Sequence, residues 1–379
     1  MNMETQEHAP RPLNLGLQGG GAHGAYSWGV LDALLEDGRF DFEGISGTSA
    51  GAMNAVVLAN GLLKNGKEGA REALEAFWRG LAGSVPLDFS RPVAGGEGIA
   101  LLPTTKFLLN WTQYFSPYQL NPLNFNPLRR LLKAQVDFEA LRAHSPVRLF
   151  LAATNANTGK LRLFRTSEVS IDTVLASACL PMLHQSIVID GEPYWDGGYT
   201  ANPAIFPLFN ECTARDILLV LLAPAVYGEM PRSAEEIRAR TLEFAFNTSL
   251  LREMLLFAHV LDYSHDYDRA AQAQAAEKEK ERESGWIGSR GLLRLLGRSQ
   301  REMAELPSLE RQMLETRFHL IEAENLLRQF GSATKIAVDW PFLRKLHDIG
   351  YAQAKKWLVA HGDQIGRETS FDLAGRFGS

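Results

Sequence analysis

Nine residues, Ile45-Ser46-Gly47-Thr48-Ser49-Ala50-Gly51-Ala52-Met53, restrict the fold more than any other stretch. A strand-like segment ends at Ile45, and a helix-forming run, Ala50 to Leu58, follows a turn of small residues. Ser49 stands at the apex, with Gly47 and Gly51 two residues to either side in a G-x-S-x-G elbow. A serine on a tight strand-to-helix turn sits in strained backbone, and glycines at those two positions avoid Cβ clashes. The turn pushes the hydroxyl outward. The helix behind it aims free N–H groups and a positive dipole end at any charge that develops beside the serine. A small-residue turn packed against a neighbour would have the same sequence, so the rest of the chain must decide between a nucleophile and a packing device.

The unit before the elbow has a related build. Leu13–Gln18 alternates and reads as a strand, Gly19-Gly20-Gly21-Ala22-His23-Gly24 follows, and Ala25 to Leu35 reads as a helix with Val30, Leu31, Leu34 and Leu35 on one side. Strand, glycine loop and helix start converge N–H groups on one point, the architecture of an anion cradle. The loop also fits the G-x-G-x-x-G fingerprint, with Asp41 or Glu43 about 20 residues on, so a dinucleotide-binding domain competes. Two features oppose it. Three consecutive glycines expose more backbone N–H than a dinucleotide turn needs, and a pyrophosphate loop has no use for the serine elbow that follows.

Further along, Glu68–Gly80 reads as a helix and Ser84–Gly98 as a loop. Leu101–Leu128 crowds Phe107, Trp111, Tyr114, Phe115, Tyr118 and Phe125 among four prolines, which suits either a cap over an apolar cleft or core filler, the second favoured. Pro127–Ala134 starts a helix. Val147–Thr154 and Leu161–Phe164 form a hairpin, and Ile187–Ile189 and Tyr194-Trp195 form another around Asp190-Gly191. Ile171–Ala178 is a helix stopped by Pro181. Ile217–Leu222 is a continuous apolar run, the pattern of a strand buried on both faces. Beyond Pro231 the chain is helix-rich, with one late strand at Arg317–Glu322, an amphipathic helix from Phe342 to Ala360 and a tail from Arg367. Trp286–Arg298 is basic and amphipathic, a candidate for transient contact with a membrane surface or, more often for such a piece, for packing on its own domain or on a partner subunit.

Composition excludes several classes. The 379 residues are 45% hydrophobic and 22% charged, which is globular. A net charge of −5 gives no pull toward nucleic acid. Cys179 and Cys212, the only cysteines, make neither a disulfide framework nor a zinc site. No leader pattern and no spanning helix is read, so the expected location is cytoplasmic, with peripheral contact at a membrane left open. Oligomeric state is left open too.

Acyl transfer accounts for three pieces together: the N–H-rich loop, Ser49, and Asp196 in Asp196-Gly197-Gly198. A serine hydroxyl needs a base within hydrogen-bond reach. The tetrahedral oxyanion needs preorganised donors, which Gly20 and Gly21, with Ala50, can supply from the backbone. An α/β-hydrolase order would continue from Asp196 to a histidine. His259, His265, His319, His347 and His361 follow, but none stands in a glycine-rich loop after a strand, and each reads as a surface or capping residue. His144 and His184 precede Asp196 and fit no better. A direct Ser49–Asp196 pair is simpler.

With these residues in view, the sequence resembles the patatin-like phospholipase family. The resemblance rests on Gly19–Gly24, on Gly47-Thr48-Ser49-Ala50-Gly51, on Ser177-Ala178-Cys179-Leu180-Pro181 and on Asp196-Gly197-Gly198, and runs from about Leu13 to Pro224. It implies a three-layer α/β/α sandwich with a mostly parallel central sheet, a Ser–Asp dyad and calcium-independent hydrolysis of lipid esters, with no metal or cofactor. By position, Ser49 would be the nucleophile, Asp196 the base and Gly19, Gly20 and Gly21 the oxyanion loop. The expected division is a catalytic core over 13–230 and a helix-rich region over 231–379 that packs on or completes it. The family usually has Arg or Lys where this chain has His23, which replaces a permanent cation by a group that titrates near neutrality. A non-catalytic lipid-binding or scaffold protein on the same fold is the alternative, beside a Ser-Asp-His esterase.

Overall fold

The computed structural model describes residues 9–84, 90–92, 99–101, 115–224, 227, 230–283, 308–323, 327, 330 and 332–378. The strands among them are β1 (Arg11–Leu17), β2 (Phe40–Thr48), β3 (Ser90–Pro92), β4 (Ile99–Leu101), β5 (Arg148–Asn155), β6 (Leu161–Arg165), β7 (Ile187–Ile189), β8 (Glu192–Asp196), β9 (Asp216–Leu221) and β10 (Arg317–Glu322). The longer helices are α1 (Gly24–Asp37), α2 (Ala50–Gly83), α3 (Pro127–Gln135), α4 (Phe138–His144), α5 (Ile171–Ser177), α6 (Ala234–Glu283), α7 (Ser308–Glu315) and α8 (Trp340–His361).

Eight strands form one sheet in the order β10-β9-β1-β2-β5-β8-β7, with β6 also paired to β5. The pairs from β10 to β5 are parallel, and those of β5 with β6 and β8 and of β7 with β8 are antiparallel. The sheet is mixed but mostly parallel, with helices flanking it, the α/β/α arrangement of the patatin-like fold.

The apolar pattern dictates the middle of this sheet. Every residue of β9 is buried, as the uninterrupted run Ile217–Leu222 predicts. Leu218 and Val220 join the large core shared with α1, α2 and α8, while Leu219 packs on the other side near Gly16 and Ile205. In β1, Leu13, Leu15 and Leu17 are fully buried, the alternation expected of a strand with one face on that core. The two helices read separately from Ala50 and from Glu68 are both present: α2 is two helices joined across a kink at Asn65 and Gly66, where the backbone leaves helical geometry.

Register along β5 brings distant segments together. Gly44–Thr48 of β2 pair with Arg148–Ala152, and Tyr194–Asp196 of β8 pair with Asn155–Ala153. Leu163 and Arg162 of β6 pair with Ala152 and Ala153, so β6 occupies one edge of β5. A strand has only two edges. β2 and β8 therefore share the other one, where Thr48 opposite Ala152 and Asp196 opposite Ala153 meet end to end.

Helices α1 and α8 approach closely. A Cβ on Gly29 would overlap the His347 carbonyl, and one on Gly350 the Tyr26 carbonyl. Trp28 is buried beside them, its ring 4.1 Å from that of His347. Gly29→Ala should lower stability by about 1–3 kcal/mol, because added volume forces the backbones apart. A denaturant midpoint equal to wild type would refute this account of the crossing.

The residues group into two units. The first, Met1–Leu250 with Arg317–Phe371, contains the sheet, including β10, and α8. The second, Leu251–Thr316 with Asp372–Ser379, contains the later part of α6, α7 and a short helix, Leu373–Phe377. The segment read as a tail thus ends in a helix, and Asp372 caps it by accepting from the Gly375 N–H at 2.9 Å. The basic stretch Trp286–Arg298 lies outside the described residues, as do Phe107, Trp111 and Tyr114. Among the described residues no helix is long and apolar enough to cross a membrane.

Candidate active site

The end of β1 sets the glycine loop. Gln18 donates its N–H to the Val220 carbonyl at 3.1 Å, and its Oε1 accepts from Leu222 and Ala223 N–H at 2.6 and 2.8 Å. Its Nε2 donates to Asn247 Oδ1 of α6 at 3.0 Å. With both ends of its amide engaged, Gln18 ties β1 to β9 where the loop begins. Gly19 then donates its N–H to Asn202 Oδ1 at 2.7 Å. A Cβ on Gly19 would lie 2.7 Å from the Thr48 carbonyl and 2.8 Å from Ser49 Cβ, so the loop runs directly against the elbow.

Of the three glycines read as donors, Gly19 has its N–H committed to Asn202. Gly20 and Gly21 have no acceptor for theirs among the described residues. Gly21 takes a positive φ of 59° in the turn Gly21–His23, closed by the His23 N–H on the Gly20 carbonyl at 3.2 Å. Ala50 is the first residue of α2, and its N–H belongs to the unsatisfied first turn of that helix.

Ser49 has φ 55° and ψ −121°, a conformation that costs a non-glycine residue about 1–3 kcal/mol. It is half-buried. Its N–H donates to Ser177 Oγ at 3.0 Å, at the end of α5. A Cβ on Gly51 would overlap the Leu17 carbonyl, and one on Gly47 would lie 2.6 Å from the Gly51 carbonyl. Both glycines flanking Ser49 are therefore required by close backbone approach.

Asp196 is buried at the end of β8, with its N–H on the Cys179 carbonyl at 2.8 Å and its own carbonyl accepting from Thr154 Oγ1 at 2.8 Å. Its Oδ1 accepts from the Gly198 N–H at 2.8 Å. Oδ2 is buried with no hydrogen-bond partner among the described residues. Burial pushes this carboxyl up to about 7. The Gly198 N–H and the Ser49 hydroxyl act the other way, favouring its charged form. Phe246 of α6 packs over this turn, its ring 4.8 Å from that of Tyr199.

Among the described residues no hydrogen bond joins a histidine to Ser49 or Asp196. Two histidines read as surface or capping residues are buried instead. His319 lies in β10 with Nε2 2.9 Å from Asp216 Oδ1. His347 lies between Asp32 at 3.0 Å and Asp348 at 2.9 Å. His23 is buried too. Burial first, and then the nearby Lys335 charge, hold it down at about 3, so it stays neutral and the expectation that it titrates near neutrality is corrected. The side chain of His265 lies outside the described residues.

The loop is not shaped for a pyrophosphate. A Cβ on Gly21 would overlap the Lys335 carbonyl, and one on Gly24 would lie 2.5 Å from Ala50 Cβ. Glu43, a candidate ribose ligand, accepts from Thr213 and Ala214 N–H at 2.8 and 2.7 Å. No group of three or more metal-ligating side chains occurs among the described residues.

The aromatic stretch before α3 is not core where it is described. Tyr118, Leu123 and Phe125 are 56%, 91% and 63% exposed. Tyr118 Oη bonds Ser186 Oγ at 2.8 Å, and Gln185 Nε2 donates to the Asn121 carbonyl at 2.7 Å. This stretch is thereby fastened to the loop that starts at Cys179, beside Asp196. Gln18, Asn202 and Asn247 have no role in the sequence reading, and Ser177 enters it only as part of the Ser177–Pro181 motif; Gln18 abuts the glycine loop and Asn202 precedes a Pro, while Asn247 carries no local signal.

A family model described as patatin-like phospholipase matches residues 15–209. VipD from Legionella pneumophila is 17% identical over 90% of this chain and 67% of that one, with a TM-score of 0.33. The ExoU-SpcU complex from the type III secretion system of Pseudomonas aeruginosa supplies a chain 16% identical over 94% of this chain and 78% of that one, with a TM-score of 0.25. No curated protein matches.

Proposed function

The chain belongs to the patatin-like phospholipase family, and from that premise we propose that it cleaves carboxylic esters of lipids, phospholipids or lysophospholipids first, through Ser49 and Asp196. Family membership supports lipid acyl hydrolase activity. The observation that supports this pair is the β5 register, which sets Asp196 beside the residue preceding Ser49. Asp196 Oδ2 faces no competing donor.

In this reading Oδ2 takes the Ser49 Oγ proton as Oγ attacks the acyl carbonyl. The C=O π electrons move to oxygen, and the Gly20, Gly21 and Ala50 N–H groups receive the negative charge. Gly19 shapes the loop and leaves donation to the next two residues. Collapse breaks the ester C–O bond, and the proton on Asp196 passes to the departing alkoxide. Water, deprotonated by the same carboxylate, then releases the fatty acid and restores Ser49. A carboxyl held near 7 by burial suits this exchange at neutral pH.

The chain should react with a fluorophosphonate probe, with the adduct mapped by peptide sequencing to Ser49. It should also turn over at least one of a phospholipid, a lysophospholipid, a triglyceride and a p-nitrophenyl ester. An adduct on another residue would reject the nucleophile. Liposome binding with no turnover of any of the four would favour a lipid-binding scaffold.

A further inference from the structure

His23 carries the one polar side chain of the glycine loop, the proposed chemistry leaves it without a task, and its surroundings supply one. Its Nε2 lies 2.8 Å from Thr334 Oγ1. Both residues are buried. Thr334 belongs to the short turn Ser332–Ile336, which lies outside residues 15–209. The next residue of that turn reaches the same loop, because the Lys335 carbonyl fills the space where Gly21 would carry a Cβ. Lys335 is anchored in turn, its Nζ 3.0 Å from Glu243 Oε1 on α6. One turn of α6 beyond Glu243, Asn247 holds Gln18 at the start of the loop.

The two N–H groups assigned to the oxyanion lie between these supports. The Gly20 carbonyl is held by the His23 N–H, which closes the turn, and Gly21 is held by contact with Lys335. Nothing intrinsic to glycine would keep those peptides in one orientation, since its backbone is the most permissive. A donor turned away from the developing charge loses its catalytic value.

We infer that Thr334 is a positioning residue for ester hydrolysis, its hydroxyl holding His23 and, through it, the orientation of the Gly20 and Gly21 N–H groups. The inference rests on the preceding reading of those N–H groups as oxyanion donors. It places a requirement for turnover in a segment beyond the part of the chain that matches the family model.

Thr334→Val removes the hydroxyl at nearly constant shape, and Thr334→Ser keeps it. With active sites titrated by fluorophosphonate, Thr334→Val should lose roughly 10- to 100-fold in kcat with KM within about twofold, the scale of a small misplacement of catalytic groups. Thr334→Ser should recover most of that loss. Amide exchange at His23, followed by NMR, should speed up in the Val variant and not in the Ser variant. A purely structural role would lower the melting temperature and leave kcat per titrated site unchanged. Glu243→Gln, which loosens the Lys335 anchor, should lower kcat in the same direction by a smaller factor. The inference falls if Thr334→Val keeps wild-type kcat, or if that variant does not fold and Glu243→Gln keeps it. If wild type itself shows no Ser49-dependent turnover, the hydrolase reading has failed. His23 exchange then decides the inference, and an unchanged rate in Thr334→Val overturns it.

Discussion

Ser49→Ala is expected to lose fluorophosphonate labelling and about 10⁴-fold or more of ester turnover, the scale seen when a nucleophile is removed and only oxyanion donors and binding remain. Stability separates this serine from a merely structural one. Its φ of 55° strains any side chain that has a Cβ, so alanine inherits the strain of serine. Glycine does not. Ser49→Gly should be equally inactive yet more stable than Ser49→Ala by about 1–2 kcal/mol, the relieved strain less the entropy glycine brings to the unfolded chain. The Ser49 N–H bond to Ser177 Oγ is kept in both variants, so it does not enter the comparison. Urea unfolding of the two variants and a turnover assay make the measurement. Turnover above a few percent in Ser49→Ala would end the nucleophile assignment. A glycine variant no more stable than the alanine one would end the strain argument.

Local pattern carried the elements, and long-range pairing carried the site. The apolar run at β9, the Asp190-Gly191 hairpin and the elbow helix were legible because each depends on neighbours in sequence. The meeting of Ser49 with Asp196 depends on how β2 and β8 share one edge of β5, and no local signal specifies that register. The Gly19 N–H looked like an oxyanion donor because nothing near it in sequence marks Asn202 as its acceptor. The buried histidines were misread for a similar reason. His319 sits in a strand whose other residues alternate plausibly, and its burial depends on Asp216 in the neighbouring strand. The aromatic stretch failed differently: prolines and aromatics look alike in a core and on a rim, and exposure decides between them.

Asp196→Asn is expected to reduce ester turnover by about 10²–10⁴-fold, the range for loss of a general base. In wild type, kcat/KM should fall about tenfold per pH unit below about 7, because only the ionised carboxylate accepts the Ser49 proton. The residual activity of the Asn variant should lack that limb. Stability should move the opposite way. The folded carboxyl is raised to about 7 against an ordinary value of 3.8. Between these values the folded protein holds a proton that the unfolded chain has released. The contribution of this carboxyl to stability therefore has its full value below pH 4 and declines as pH rises through 7. The decline is bounded by roughly 3 units at 1.36 kcal/mol each, on the order of 4 kcal/mol. An Asn amide is neutral throughout and escapes it, although its carbonyl is a weaker acceptor for the Gly198 N–H, which subtracts about 1 kcal/mol. Asp196→Asn should accordingly match or fall slightly below wild type at pH 4.5 and exceed it at pH 8. A stability difference independent of pH would show that burial does not raise this carboxyl. Undiminished turnover in the Asn variant would show that another group takes the proton from Ser49.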